Sequence, residues 1–266
     1  MQFLANGRQG TIGKFISEDF TLLKGDLVTG EQQNTFAQAC DQNTVFLHMA
    51  AIVGNSIVEK DKDKAFKVNV KAVAELGQIS LENNINKFIY VSSSHIYAYS
   101  SESINENSKV GPVSEYAKQK LEAEEALSVI FSKHPEKLLI VRVFSILDWD
   151  MPKFTLGGAI EKLIADPQGN SLGFANDVRD FLTPRTVAKN LEIIARTADL
   201  SGVYNLSSGK GLSIKNAAML MAKNRNVQLT EESFISNEKN RTSVIGDNSK
   251  LKSAVPNLDL KWSFDI

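Results

Sequence analysis

Cysteine is almost missing from this chain: Cys40 is the single one among 266 residues. One thiol excludes an internal disulfide framework and any zinc site built from cysteines. Cys40 ends the run Thr35-Phe36-Ala37-Gln38-Ala39-Cys40, which reads as a helix face. A small buried apolar group is expected there rather than a reactive thiol. The three histidines, His48, His95 and His134, are too scattered to argue a metal site, and packing at strand ends or turns is the simpler reading. An excess of one charge is absent too. Thirty Lys and Arg against 31 Asp and Glu leave a net charge of −1, so no broad attraction to nucleic acid or an anionic membrane is expected, only a local basic pocket. No stretch is long and apolar enough to span a bilayer. The apolar N-terminus runs straight into a glycine loop, so it reads as a strand rather than a leader peptide. These absences together predict a soluble, cytoplasmic protein without a metal.

What is present is a regular alternation. Short apolar runs (Phe3-Leu4-Ala5, Val45-Phe46-Leu47, Phe88 to Val91, Leu138 to Val143, Val203 to Leu206) are separated by segments with helical spacing, such as Ala72 to Ser80 and Ala117 to Leu127. Continuous apolar strands between helices predict a doubly wound α/β fold with a parallel sheet covered on both faces. After residue 148 turn signals multiply: Pro152, Gly157-Gly158, and Asp166-Pro167-Gln168-Gly169-Asn170. The expected division is a large unit over 1–148, to which 176–206 returns, and a small C-terminal subdomain from 149–175 and 207–266.

The first run is followed by Gly7-Arg8-Gln9-Gly10-Thr11-Ile12-Gly13. Glycines at this spacing let a strand turn into a helix and let the backbone approach a pyrophosphate. Arg8 inside the loop is either a solvated side chain or a partner for a 2′-phosphate. A dinucleotide fold normally places an acid on a second strand ~20 residues past the glycines. Here too few residues lie between Gly13 and Gly25-Asp26-Leu27 for a full helix and another strand. The second strand is therefore expected to be shortened or missing.

Downstream, Tyr90 and Val91 lead into Ser92-Ser93-Ser94-His95, hydroxyls at the carboxyl end of a strand, where open α/β sheets bind ligands. Tyr116 and Lys120 stand four apart, hence on one helix face. A nearby ammonium lowers a phenol's pKa from ~10 toward neutrality. Ser94 would hold the substrate oxygen as charge develops on it. The glycine loop, the serine strand and this Tyr–Lys pair follow one another in order.

The ordered set resembles the extended short-chain dehydrogenases, in particular the NAD-dependent epimerase/dehydratase group that acts on nucleotide sugars. The resemblance runs through most of the chain. It implies a catalytic trio of Ser94, Tyr116 and Lys120. It implies that NAD or NADP is held by Gly7, Arg8, Gly10, Thr11, Ile12, Gly13, Asp26, Leu27, Ala50, Ala51, Asn69, Ser92 and Phe144 besides Tyr116 and Lys120. It implies a nucleotide-sugar substrate met by Ser94, His95, Ser145, Arg179 and Arg241, and a homodimer formed through the helices holding Phe66 to Leu81 and Tyr116 to Ile130. Surplus apolar residues Val70, Val73, Ala74 and Leu76 add to the homodimer expectation.

Departures from the family pattern narrow the expected activity. Ser145 replaces a usual Asn, and Thr183-Pro184-Arg185 replaces an acidic segment. The acid pair expected of dehydratases after the catalytic hydroxyl is absent, because His95-Ile96 follows Ser94, so dehydration is disfavoured. The expected activity is hydride transfer by an epimerase or a 4-keto-sugar reductase. The alternatives are a non-catalytic sensor or scaffold of the same fold and a reductase of non-nucleotide carbonyls. With Arg8 the sole basic residue near the adenosine, NAD and NADP are expected to differ by less than about tenfold, or ~1.4 kcal/mol.

Overall fold

The computed structural model describes residues 1–235 and 242–262. The first half of the chain lays down β1 (Gln2–Ala5), β2 (Thr21–Leu22), α1 (Glu31–Ala39), β3 (Thr44–His48), α2 (Asn55–Lys60), α3 (Lys62–Phe66), α4 (Ala72–Glu82), β4 (Lys87–Ser93) and α5 (Glu115–Ile130). The second half adds β5 (Leu138–Val143), β6 (Ser145–Ile146), α6 (Leu156–Ala165), β7 (Val178–Leu182), α7 (Pro184–Arg196), β8 (Gly202–Leu206), β9 (Gly211–Ser213), α8 (Ile214–Asn224), β10 (Ser243–Val244) and α9 (Ser249–Ala254).

Six parallel strands in the order β2-β1-β3-β4-β5-β8 form the main sheet. All five apolar runs read from the sequence are in it. Successive side chains of a strand point to opposite faces, and both faces are covered. Leu4, Phe46, Phe88 and Ile140 meet Phe36 of α1, Val73 and Leu76 of α4, and Leu127 of α5. Ala5, Leu47, Ile89 and Val141 meet Val187, Leu191 and Ile194 of α7 and Leu251 of α9. Burial on both faces is why the strands read as unbroken apolar runs. The shortened second strand is β2, two residues long, and the helix before it is reduced to one 3-10 turn, Gly13–Phe15.

A smaller four-stranded sheet, β10-β7-β6 with β9 antiparallel to β7, packs on α6 and α8. Val178–Leu182 belongs to this small sheet rather than the main one, whereas Leu251, Val255 and Leu260 of the tail join the main core. The residues cited for a homodimer also change meaning. Val70, Val73 and Leu76 are buried within the protomer, and Leu127 packs against Gly77 so closely that a Cβ there would lie 2.7 Å from it. No helix among the described residues is long and apolar enough to cross a membrane. Cys40, just past α1, is buried, and burial raises its thiol pKa to about 11.

Candidate active site

The glycine loop is built by two close approaches. Gly7 has φ +79°, and a Cβ on it would lie 2.8 Å from the Ala50 nitrogen; a Cβ on Gly13 would run into the Gly7 carbonyl. Only glycine meets both demands. Behind the loop sits a residue that sequence reasoning passed over, Asn6, which is fully buried. Its Oδ1 accepts hydrogen bonds from Met49 N (2.9 Å) and Ala50 N (3.1 Å). Its amide donates to Gln32 (2.8 Å) and lies 2.9 Å from His48 Nδ1. This network ties the ends of β1 and β3 together. Burial, and then the charge of Lys120, lower the His48 pKa to about 3, so the ring is a neutral strut.

The hydroxyl cluster forms where β4 ends. Ser93 is its last residue, and Ser94 opens a 3-10 turn, Ser94–Ile96. Opposite, Ser114 caps α5 by accepting from Ala117 N at 3.2 Å. That cap sets Tyr116 in the first turn and Lys120 one turn on. The Tyr116 hydroxyl bonds Ser93, a contact that lowers its pKa, while burial is the larger effect and pushes it up to about 12. Ser94 was expected to hold the substrate oxygen; the hydroxyl bonded to Tyr116 is that of Ser93. Ser94 is 1% exposed, and its Oγ, like that of Ser92, is buried without a partner among the described residues. Nothing local distinguishes three consecutive serines in the sequence; the turn beginning at Ser94 makes the choice.

Lys120 is buried. Its ammonium donates to Val91 O (2.7 Å) and to the Tyr90 hydroxyl (3.2 Å). Burial lowers its pKa to about 7, against the opposing charge of Glu124. Tyr116, Lys120 and Glu124 stand four apart on α5, one below another. Glu124 is fixed by the buried Arg142 of β5, with Nη2 2.6 Å from Oε2, and Arg142 also donates to Tyr97 (2.8 Å).

The glycine loop, the serines at the end of β4, Tyr116 and Lys120 line one cavity of about 670 Å³. Gly7, Gly10, Thr11, Ile12 and Gly13 form one end, Ala50, Ala51, Ser92, Ser93, Ser94, Tyr116 and Lys120 the middle, and His95, Phe144, Ser145 and Arg179 the other. An apolar wall not foreseen from the sequence comes from Met151, Phe154, Leu156 and Phe181. The His95 ring is solvent-accessible but deep in the cavity, edge-on to Tyr116 at 6.1 Å; surrounding protein and then Arg179 lower its pKa, which favours the neutral form.

Several expected contacts lie elsewhere. Arg8, Asp26, Leu27 and Asn69 do not line the cavity. Asn69 sits in a π-helical turn, Lys67–Lys71, and bonds Ile52 N (2.8 Å), Ile52 O (2.9 Å) and Gln119 (2.9 Å), so it holds the loop after β3 rather than a ligand. The Asp26 carboxylate accepts from Val28 N (2.6 Å) and Thr29 N (3.1 Å). Arg179 reaches the cavity, but its guanidinium already bonds Asp177 (3.0 Å) and Thr242. Arg241 lies outside the described residues. Among the described residues no group of His, Cys, Asp and Glu is placed to hold a metal. A dinucleotide fits this site: the glycine loop leaves room for a pyrophosphate, and the cavity beyond it is lined by Ser92 and Ser94, whose buried hydroxyls have no partner among the described residues.

Residues 5–207 match the model of the NAD dependent epimerase/dehydratase family. An uncharacterized UDP-glucose epimerase of Bacillus subtilis, YtcB, is 22% identical over 204 residues, which cover 73% of this chain and 63% of that relative, so the match spans less than two thirds of its length. Among solved structures, the UDP-glucuronic acid 4-epimerase of Bacillus cereus, in complex with UDP-glucuronic acid and NAD, superposes with a TM-score of 0.82 at 19% identity, covering 100% of this chain and 95% of that one. RMD of Pseudomonas aeruginosa, complexed with NADPH, gives 0.79 at 21% identity, covering 100% and 94%. The structural likenesses establish the shared fold. With the family model matched from the end of β1 to the end of the main sheet, around a cavity that joins the glycine loop to Tyr116 and Lys120, this chain belongs to the NAD-dependent epimerase/dehydratase family.

Proposed function

We propose that the chain moves a hydride at a hydroxyl-bearing carbon of a nucleotide-linked sugar, as an epimerase or a 4-keto-sugar reductase. The observation that carries this is the single cavity in which the glycine loop, Ser93, Tyr116 and Lys120 meet. NAD or NADP, held by Gly7 to Gly13, Ala50 and Ala51, would supply the hydride acceptor or donor. Tyr116 exchanges the proton of the substrate hydroxyl. Ser93, bonded to Tyr116, is placed to share that oxygen and takes the part expected of Ser94. Lys120 supplies positive charge below the phenol. His95, Ser145 and Arg179 face the sugar side. Dehydration stays disfavoured, because Ser94 and His95 offer no carboxylic acid beside Ser93. A homodimer through α4 and α5 rests on the resemblance alone, and light scattering tests it.

A second reading, reduction of a carbonyl that bears no nucleotide, is favoured by two features. The one described arginine at the substrate end is already engaged by Asp177, and Met151, Phe154, Leu156 and Phe181 make that end apolar. Incubating the purified chain with each dinucleotide and a panel of UDP-sugars, dTDP-sugars and simple ketones tests both readings. Absorbance at the nicotinamide band and sugar inversion by NMR are the readouts. Turnover of nucleotide sugars supports the first, turnover of free ketones alone the second, and none with any member overturns both.

A further inference from the structure

One face of the main sheet is aromatic where it meets α5. Phe46, Phe88 and Tyr90 pack there among Val73, Leu76, Ala123 and Leu127, and all of them are buried. A phenylalanine at 90 would fill the same space, so packing alone does not call for the hydroxyl. A buried hydroxyl costs free energy unless it is hydrogen-bonded. Among the described residues the partner of the Tyr90 hydroxyl is the Lys120 ammonium at 3.2 Å, which also lies 4.5 Å from the centre of the Tyr90 ring. Lys120 lines the cavity and Tyr90 does not. Tyr90 therefore meets the reaction only through Lys120.

Both described contacts of the ammonium are on β4. Val91 O, at 2.7 Å, can only accept. A phenol oxygen accepts, and its O–H donates. Tyr90 can thus bond the ammonium as acceptor and the neutral amine as donor. Both charge states matter here, because burial, opposed by the charge of Glu124, brings Lys120 to about 7. Tyr90 itself stays a phenol: burial, and then Tyr116 and Glu124, hold its pKa well above the ordinary value. The other titratable groups around the ammonium are committed elsewhere. His48 of β3 is a neutral ring stacked on Tyr90 at 5.9 Å, Tyr116 bonds Ser93, and Glu124 is fixed by Arg142 of β5.

We propose that Tyr90 is the positioning residue for Lys120: its hydroxyl holds the ammonium against β4 and stays bonded to the nitrogen in both charge states. The proposal rests on the reading of Tyr116 and Lys120 as the proton-transfer pair and deepens it. Without the hydroxyl the charged form loses more than the neutral one, because a hydrogen bond from a charged donor is roughly twice as strong as a neutral one. Losing a bond to the charged form lowers a lysine pKa. The ring contact survives in phenylalanine. In Tyr90→Phe, Lys120 should therefore be mostly neutral at pH 7, and the positive charge below Tyr116 is lost.

Nitrogen NMR of the lysine-labelled, ligand-free chain tests this, with Lys120→Met identifying the signal. The Lys120 midpoint should fall by about one pH unit in Tyr90→Phe, a tenfold drop in proton affinity. In the unsubstituted chain the Tyr90 ring carbon that bears the hydroxyl should shift with the same midpoint as Lys120, and this measurement stands in if Tyr90→Phe does not fold. A Lys120 midpoint that stays or rises, or a Tyr90 signal that ignores it, overturns the proposal. With a substrate and dinucleotide that turn over, the loss of kcat on raising the pH should begin about one unit lower in Tyr90→Phe, with KM within about twofold. A lowered midpoint with an unmoved kcat profile also overturns it. Absence of turnover in the unsubstituted chain overturns the functional reading instead, and the NMR midpoints then decide whether Tyr90 holds Lys120.

Discussion

The ammonium nitrogen of Lys120 lies 3.2 Å from the hydroxyl of Tyr90, with the Tyr90 ring centroid 4.5 Å away. Its described hydrogen bonds go to Tyr90 and the Val91 carbonyl, both on β4, and none goes to Tyr116. The sequence suggested that Lys120 would lower the Tyr116 pKa. In the folded chain burial instead moves the two groups in opposite directions, the phenol up to about 12 and the ammonium down to about 7.

The depressed pKa of Lys120 makes it a stability cost with a defined pH window. A lysine near 7 in the folded chain and near 10.5 unfolded binds fewer protons when folded between those values, so folding gains as pH rises through the window. The penalty is full below about pH 7. Lys120→Met should therefore stabilise the ligand-free chain, by on the order of 1–3 kcal/mol below pH 7 once the unpaired Val91 carbonyl is allowed for. The gain should fade toward pH 10. Urea midpoints of parent and variant across pH 6 to 10 check this; a variant less stable at pH 6 would contradict the cause given for the shift.

Removing the proton-transfer group should silence the chain and leave its fold alone. Tyr116→Phe is expected to cut turnover by 10² to 10⁴. Ser93→Ala should cost about 10² or more, because it removes a donor at the substrate oxygen. Ser94→Ala, deleting a buried hydroxyl with no described partner, should cost less than tenfold and leave stability within ~1 kcal/mol. Steady-state kinetics on the three variants decide between the neighbouring serines; the reverse ranking would restore Ser94 to the oxygen.

Glu124 and Arg142 form a buried pair whose loss should be structural first. Glu124→Gln leaves the Arg142 guanidinium without its counter-charge, at a cost of about 3–5 kcal/mol. It also removes the charge that raises the Lys120 pKa, so that group should titrate still lower. Chemical denaturation gives the first effect, and the shift in the Lys120→Met pH window, measured on the Glu124→Gln background, gives the second.

Gly7→Ala combines two faults, a positive φ and a Cβ 2.8 Å from the Ala50 nitrogen. The loop must move away from the Ala50 strand end, so dinucleotide affinity should fall by at least tenfold, with a stability loss of about 1–3 kcal/mol. Titration with NADPH and NADH alongside a thermal melt separates the two; unchanged affinity would mean that the loop is only a turn.

By itself the sequence determined the elements whose cause is local. Five apolar runs specify a two-sided parallel sheet, because strands buried on both faces tolerate no polar alternation. Gly7 and Gly13 specify a turn that only glycine can make. Tyr116 and Lys120 specify one helix face by spacing alone. What the sequence did not carry is which neighbours converge from far along the chain. Asn69, read as a ligand contact, is engaged by Ile52 and Gln119, and Asp26 is engaged by its own turn. Asn6, which binds two strand ends together, has no local signature at all. The choice of Ser93 over Ser94 depends on where β4 ends and a 3-10 turn begins. Hydrogen-bond partners and register are fixed by packing between segments far apart in the chain, 50 residues for Asn69 and Gln119 and 175 for Ser17 and Glu192. Only the assembled sheet and helices decide them, because they set where each backbone group must find its partner.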